Sequence, residues 1–212
     1  MLGHWPLDMQ GWKRDVVAAF STWMLFVPVL FVIGGTLSHF EKPGVNGSAE
    51  QRLAQEGKTR ARGSTAKAID SAGTQQAQSK LSLRLPSPHA ARKAIVKLAP
   101  QSVGEMLLWI LLSISAGICE ELVFRGYLQQ QFTSVRVAKG GLWVGVALSA
   151  VIFGSAHAYE GVVGIISITA FGAVLSLLAV RRSNLRAGMM MHAWHDIFAG
   201  MVLFLLKHAH AI

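Results

Sequence analysis

VGEMLLWILLSISAGICEELVFRGYL, residues 103–128, decides how this chain is to be read. Between Met106 and Cys119 it carries no charged side chain, and then Glu120, Glu121 and Arg125 follow within one and a half helical turns. At about 1.5 Å per residue, the whole stretch 103–128 as one helix is long enough to cross a hydrocarbon core about 30 Å thick. On that helix Glu121 and Arg125 stand one turn apart and can pair. Glu120 points about 100° away from Glu121 and faces a different environment. An ionisable group in mid-membrane costs about 2.5–3.5 kcal/mol on insertion scales, so function is to be sought where such groups cluster.

The rest of the composition agrees with a bilayer as solvent. Of 212 residues, 52% are hydrophobic and only 15% charged, against about 25% charged in soluble domains. Mean hydropathy is +0.41, and the apolar residues come in blocks of about twenty, too long for a chain this small to cover with its own polar surface. That excludes an ordinary soluble enzyme. The single cysteine, Cys119, excludes an intramolecular disulfide framework and a multi-cysteine zinc site. The formal net charge of +9 does not point to nucleic acid. Most of the basic residues lie in the polar stretch 41–100 or just outside apolar blocks, with no basic stripe interleaved with stacking aromatics. Basic residues beside spans face lipid headgroups and set orientation.

Read outward from 103–128, the chain predicts an all-α, polytopic transmembrane bundle of about five spans. The first runs from Val16 to about Ser38, after Lys13-Arg14. It is too long for a signal-peptide core, and it contains Pro28, which a bundle tolerates. Trp5 and Trp12 suit the interface. The second runs from about Val103 to about Phe132, the third lies within 141–159, the fourth within Gly161–Val180 and the fifth within Ala187–Leu206. Three regions follow: 1–40 with the first span, 41–100 as a polar linker, and 101–212 as a catalytic membrane core. Residues 41–80 have too little apolar surface to offset their ordering entropy and read as a mobile linker. Residues 81–99 read as a surface-lying segment interrupted by Pro86 and Pro88, and the Asn46-Gly47-Ser48 sequon reads as chance. With five spans, Arg136, Lys139, Arg181, Arg182 and Arg186 fall on the N-terminal side, which the positive-inside rule makes cytoplasmic. The basic residues of 41–100 oppose that orientation.

Two further clusters lie in the apolar blocks. Phe153-Gly154-Ser155-Ala156-His157 places a histidine in the third, with Tyr159 and Glu160 beside it; alone it reads equally as a hydrogen-bonded core residue. His192-Ala193-Trp194-His195-Asp196 opens the fifth, and on a helix His192, His195 and Asp196 fall within about 100° of one face. A histidine and a carboxylate at i, i+4 form a hydrogen-bonded unit in which the acid fixes the tautomer.

Together, Glu-Glu-x-x-x-Arg, Phe-x-x-x-His and His-x-x-x-Asp, each in its own apolar block, resemble the CPBP family: the CAAX-protease and bacteriocin-processing enzymes, also called Abi proteins. The resemblance covers roughly residues 101–212. It implies an intramembrane endopeptidase cutting a membrane-associated or lipid-modified protein, in a multi-pass integral membrane protein (of the cell membrane, if bacterial). Carried over by position, it implies that Glu120, assisted by His157, deprotonates the attacking water, and that His192 and Asp196 stand beside the developing oxyanion. Asp196 departs from the family's CAAX endopeptidases, which have Asn there. An ionised Asp cannot donate to an oxyanion, so Asp196 either keeps a proton or orients His192. Glu121, Arg125 and His195 would support the site.

The chemistry has a logic of its own, since peptide hydrolysis needs a base near neutral pH and oxyanion stabilisation in a dry cavity. A metal reading stands beside it. Glu120, Glu121, His157, His192, His195 and Asp196 are zinc-ligand types, and the family is described both as metalloproteases and as metal-independent glutamate proteases. Lacking the His-Glu-x-x-His helix, the sequence leads us to expect no cofactor, with zinc the alternative. Intramembrane acids and histidines also mark proton or ion pathways. A coupled transporter or a non-proteolytic scaffold is therefore the competing class, although the chain shows no internal repeat. One geometric difficulty stands out. If the third span begins near Gly140, His157 lies near its far end while His192 lies near the start of the fifth, most of a bilayer apart.

Overall fold

The computed structural model describes residues 11–40, 85–86, 88–134 and 140–209. The linker over 41–80, the Asn46 sequon, Trp5, Arg136 and Lys139 lie outside the described residues. Every regular element among the described residues is helical: α1 (Trp12–Phe40), α2 (Pro88–Leu98), α3 (Val103–Glu121), α4 (Gln129–Ser134), α5 (Gly141–Ala156), α6 (Gly161–Arg182) and α7 (Arg186–His208). Between α3 and α4 the helix does not break. It widens over Leu122–Leu128 so that the Gln129 N–H reaches the Phe124 carbonyl, five residues back. A single 3₁₀ turn, Ala158–Glu160, joins α5 to α6.

Among the described residues four stretches are long and apolar enough to cross a membrane: Trp12–Leu37, Val103–Ser134, Ala158–Arg182 and Arg186–His208; Gly141–Ala156 is a shorter apolar helix. The chain is a multi-pass integral membrane protein. The outer face of α3 carries Leu107, Leu108, Leu111 and Leu112, all largely exposed in the isolated chain, which suits lipid and not water.

Local chemistry starts these helices where they start. Ser102 caps α3 by accepting from the Glu105 N–H at 3.2 Å, and the Glu105 carboxylate accepts from the Gln101 N–H at 2.8 Å; the early acid of this span is thus spent on its cap. Pro88 does not interrupt the surface segment, as the sequence led us to expect, but opens α2. The first helical turn has spare N–H groups, so the missing donor of proline costs nothing there. Between α6 and α7, Ser183 adopts a left-handed φ of 52°. The Asn184 Oδ1 then accepts from the Arg186 N–H at 3.1 Å, starting α7.

Helices α3 and α7 run antiparallel in close contact. Gly117 sits so near α7 that a Cβ there would fall 2.8 Å from the Met189 carbonyl oxygen and 3.1 Å from the Ala193 Cβ. Farther along, the Trp109 indole N–H donates to the Asp196 carbonyl at 2.9 Å. Helix α5 packs on α4 through Gly145, which faces Gln129 and Thr133, and on α6 through Gly154, which faces Ile165 and Thr169. Small residues at such crossings are how membrane helices gain contact without a hydrophobic driving force. Helix α1 closes the bundle: Trp23 meets Phe198 edge-on at 5.3 Å and Phe26 stacks on Phe171 at 6.2 Å. The core so formed contains Ala19, Trp23, Phe153, Phe171, Leu175, Leu178, Ala187 and Met191.

The same packing removes the difficulty over His157 and His192. Helix α5 does not enter at the level of α7. Its start lies against Gln129 and Thr133 of α4, whereas Leu185, just before α7, lies against Gly126. Helix α5 therefore begins several residues farther out along the α3–α4 rod, at about 1.5 Å per residue, and its last turn comes level with the second turn of α7. His157 is also not inside a helix: it follows α5 at φ −98°, ψ 24°, where the chain turns into the 3₁₀ segment.

Candidate active site

The two adjacent glutamates have separate environments. The side chain of Glu121 is completely buried, and that of Glu120 keeps 33% of its exposure. Glu121 Oε1 accepts from Arg125 Nη1 at 2.7 Å, and neither side chain is exposed. Arg125 Nη2 donates to the Gly172 carbonyl of α6 at 2.9 Å, and its guanidinium carbon lies 4.3 Å from the centre of the Phe153 ring. Gly172 permits this, because a Cβ there would come within 2.9 Å of Phe153 and 3.1 Å of Arg125 Nη2. The widened turn carrying Arg125 is held from outside as well, since Ser149 of α5 donates to the Phe124 carbonyl at 2.8 Å. Such local widening inside a helix is found mostly as single turns, often at functional sites.

His192 is the hub. Its Nδ1 lies 3.3 Å from Glu121 Oε1, and its Nε2 faces Asp196 Oδ2 at 3.6 Å and Glu120 Oε2 at 3.9 Å. Its ring is nearly buried and wedged edge-on between Phe153 at 5.6 Å and Phe171 at 5.8 Å. Glu121 is ion-paired to Arg125 and so accepts, which makes the His192 Nδ1 the donor and leaves Nε2 facing the other two carboxylates.

His157 approaches from α5. Its Nδ1 lies 2.9 Å from the Phe153 carbonyl oxygen. A carbonyl can only accept, so Nδ1 carries the proton and the lone pair of the neutral ring sits on Nε2. The Phe153 ring touches both histidines, His157 at 5.0 Å and His192 at 5.6 Å. Asp196 interacts electrostatically with His192, Glu120, His157 and Glu160, so three separate helical segments deliver their polar groups to one place. Glu120 Oε2 is buried there without a hydrogen-bond partner among the described residues.

His195 does not join this group through hydrogen bonds. It lies against Phe171 at 4.5 Å between ring centres, and its buried Nδ1 has no hydrogen-bond partner among the described residues. The helical-wheel arc that grouped it with His192 and Asp196 is too coarse to tell the two sides of a packed face apart. Conversely, sequence reasoning passed over residues that shape the site. Phe153 and Phe171 sandwich His192, Gly172 supplies a carbonyl, and Trp109 holds the Asp196 backbone. Tyr159 and Glu160 form a side-chain pair at its edge. The Phe-x-x-x-His motif pointed to Phe153, and Tyr159 and Glu160 stand beside His157 in the sequence; the others carry no local signal.

Among the described residues, no three His, Cys, Asp or Glu side chains are placed to hold one metal ion.

Residues 102–198 match the family model of the type II CAAX prenyl endopeptidase Rce1-like proteins. This segment, just under half of the chain, is similar to the CPBP-family core. Its matched range holds the whole cluster, from the Ser102 cap to two residues beyond Asp196, and the match supports a CAAX-type intramembrane protease. Among curated proteins and among solved structures, nothing matches the chain.

Proposed function

We propose that the CPBP core hydrolyses a peptide bond in a membrane-associated or lipid-modified protein, with water activated by Glu120. What carries this reading is the division of labour between adjacent acids. Glu121 is completely buried with one oxygen tied up by Arg125 and His192, while Glu120 keeps a third of its exposure and has a carboxylate oxygen in the same cluster with nothing bonded to it. A base must have a free acceptor.

The remaining roles follow from hydrogen-bond direction. His157, with its proton on Nδ1, offers Nε2 to accept from the attacking water or to pass its proton on. As water attacks the scissile carbonyl, Glu120 takes its proton, the carbonyl oxygen becomes an oxyanion, and the proton is later returned to the leaving amine. His192, held by Glu121 on one nitrogen, turns the other toward the reacting region; protonated there, it donates to the oxyanion. Asp196, 3.6 Å from that nitrogen, orients and charges His192. That role needs no donor from an ionised carboxylate.

The test is reconstitution of the purified chain with three candidate substrate types: a prenylated CAAX protein, a leader-peptide precursor and a membrane-anchored C-terminal tail. Comparison of membrane proteomes with and without the protein would name the natural one. Cleavage that depends on Glu120 supports the proposal. A folded protein that cuts nothing while moving protons or ions would replace it with the transporter reading.

A further inference from the structure

The far side of α6 from the active site carries a second polar feature, unused by proteolysis. Asp15, in the first turn of α1, is completely buried. Its Oδ1 accepts from Arg182 at 2.7 and 2.8 Å and from Asn184 at 3.2 Å, and its Oδ2 accepts from Arg186 at 2.7 and 2.8 Å. The carboxylate is therefore saturated, and it locks the first turn of α1 to the turn joining α6 and α7. Beside this clamp a groove of about 620 Å³ opens between α1 and α6, lined by Lys13, Arg14, Arg181 and Arg182 and, farther along the two helices, by Val17, Ala18, Ser21, Thr22 and Leu178.

Its two ends differ in chemistry. Four cationic side chains rim the mouth, and the one buried acid beside it among the described residues, Asp15, is already shared by two guanidinium groups, so the rim is positively charged. The other end is mostly apolar: beside Val17, Ala18 and Leu178 it has only the Thr22 and Ser21 hydroxyls, and that of Ser21 is spent on its own helix, donating to the Val17 carbonyl at 2.7 Å. From Lys13 to Thr22 the lining extends about 14 Å along α1, at about 1.5 Å per residue. A small free anion would satisfy the rim and leave the apolar part empty. A headgroup phosphate with the start of its acyl chain matches both. Basic pockets between membrane helices are known to hold anionic headgroups.

We propose that the groove between α1 and α6 binds one anionic phospholipid, its phosphate held by Lys13, Arg14 and Arg181 and its acyl chain lying along Val17, Ala18 and Leu178. Arg182 contributes charge at the rim while remaining bonded to Asp15. The bound lipid would fasten α1, which lies outside the segment that matches the family, to the catalytic bundle.

The test uses the full chain in detergent, titrated in native mass spectrometry with phosphatidylglycerol, phosphatidylcholine and inorganic phosphate. The expected result is at least a tenfold preference for phosphatidylglycerol over phosphatidylcholine, with inorganic phosphate failing to displace it. The K13Q/R14Q/R181Q triple variant should lose that preference, and it leaves the Asp15 clamp untouched. V17W fills the groove from an exposed position without removing charge and should lose the preference too, which decides the matter if the triple variant does not fold. Equal retention of both lipids, displacement by phosphate alone, or an unchanged preference in V17W would overturn the proposal.

Discussion

Nδ1 of His192 lies 3.3 Å from Oε1 of Glu121, a residue 71 positions earlier in the chain, and that same oxygen is held at 2.7 Å by Arg125. The contact joins α7 to α3 at the point where α3 widens. It makes a buried ion pair serve two ends: Arg125 holds Glu121, and Glu121 presents His192. Glu120, the residue before it, has no such cation partner and keeps a third of its side-chain exposure, and the predictions follow from this asymmetry.

Glu120→Gln should reduce cleavage by about 10²–10⁴-fold, the usual contribution of a general base. Insertion and thermal unfolding should stay close to those of the unaltered protein, since the amide keeps the shape and the side chain is a third exposed. The check is a cleavage assay run beside a melt in detergent. Full activity would move the role away from Glu120.

Arg125→Ala should destabilise the bundle by about 3–5 kcal/mol, because it leaves the Glu121 charge buried without its partner. Combining Glu121→Gln with Arg125→Ala should cost less than the two changes added together, as removing both charges avoids the orphan. Denaturant unfolding of the four proteins forms the cycle, and strict additivity would deny the pair any coupling.

Gly117→Val should cost about 1–3 kcal/mol through overpacking and should also slow cleavage. Its side chain would collide with the Met189 carbonyl oxygen, 2.8 Å from the first added carbon, and push α7 away from α3. Glu120 rides on α3 and His192 on α7, so stability and rate should fall together. An unfolding curve and a cleavage rate on the same preparation test this, and unchanged values would mean that the helices can separate freely.

Asp15→Asn should destabilise the protein by about 3 kcal/mol or less. This is at or below the lower end for breaking a buried pair, since Arg182 and Arg186 keep 26% and 13% of their side-chain exposure. Cleavage per folded molecule should change little, because Asp15 lies in the clamp and not in the catalytic cluster. A thermal melt with activity normalised to folded protein measures both.

Cleavage should persist after exhaustive chelation, and the purified protein should hold far less than one zinc per chain by elemental analysis. The basis is donor placement: His195 turns to Phe171, and Glu121 is engaged by Arg125 and His192. Activity lost to a chelator and restored by zinc would make Glu120 a ligand, or the base for a metal-bound water.

The sequence by itself determined the solvent and the helices. Apolar blocks of about twenty residues admit no other reading, because backbone polar groups in lipid must be satisfied within a helix. It also determined the Glu121–Arg125 pair, a contact between residues one turn apart, and it singled out Glu120, His157, His192 and Asp196 because ionisable groups are costly in apolar blocks. What only the tertiary structure decided is everything that depends on how far one helix slides along another. The offset of α5 against α7 places the end of α5 level with His192. Packing against Phe171 separates His195 from its neighbours on the helical wheel. The close approaches at Gly117 and Gly172 set which backbone carbonyls are within reach, and the burial of Asp15 ties the first helix to the turn before the last. Helical periodicity is local and repeats every few residues, so one sequence can read it. Stagger between helices depends on side-chain fit across distant segments, and no spacing along the chain encodes it.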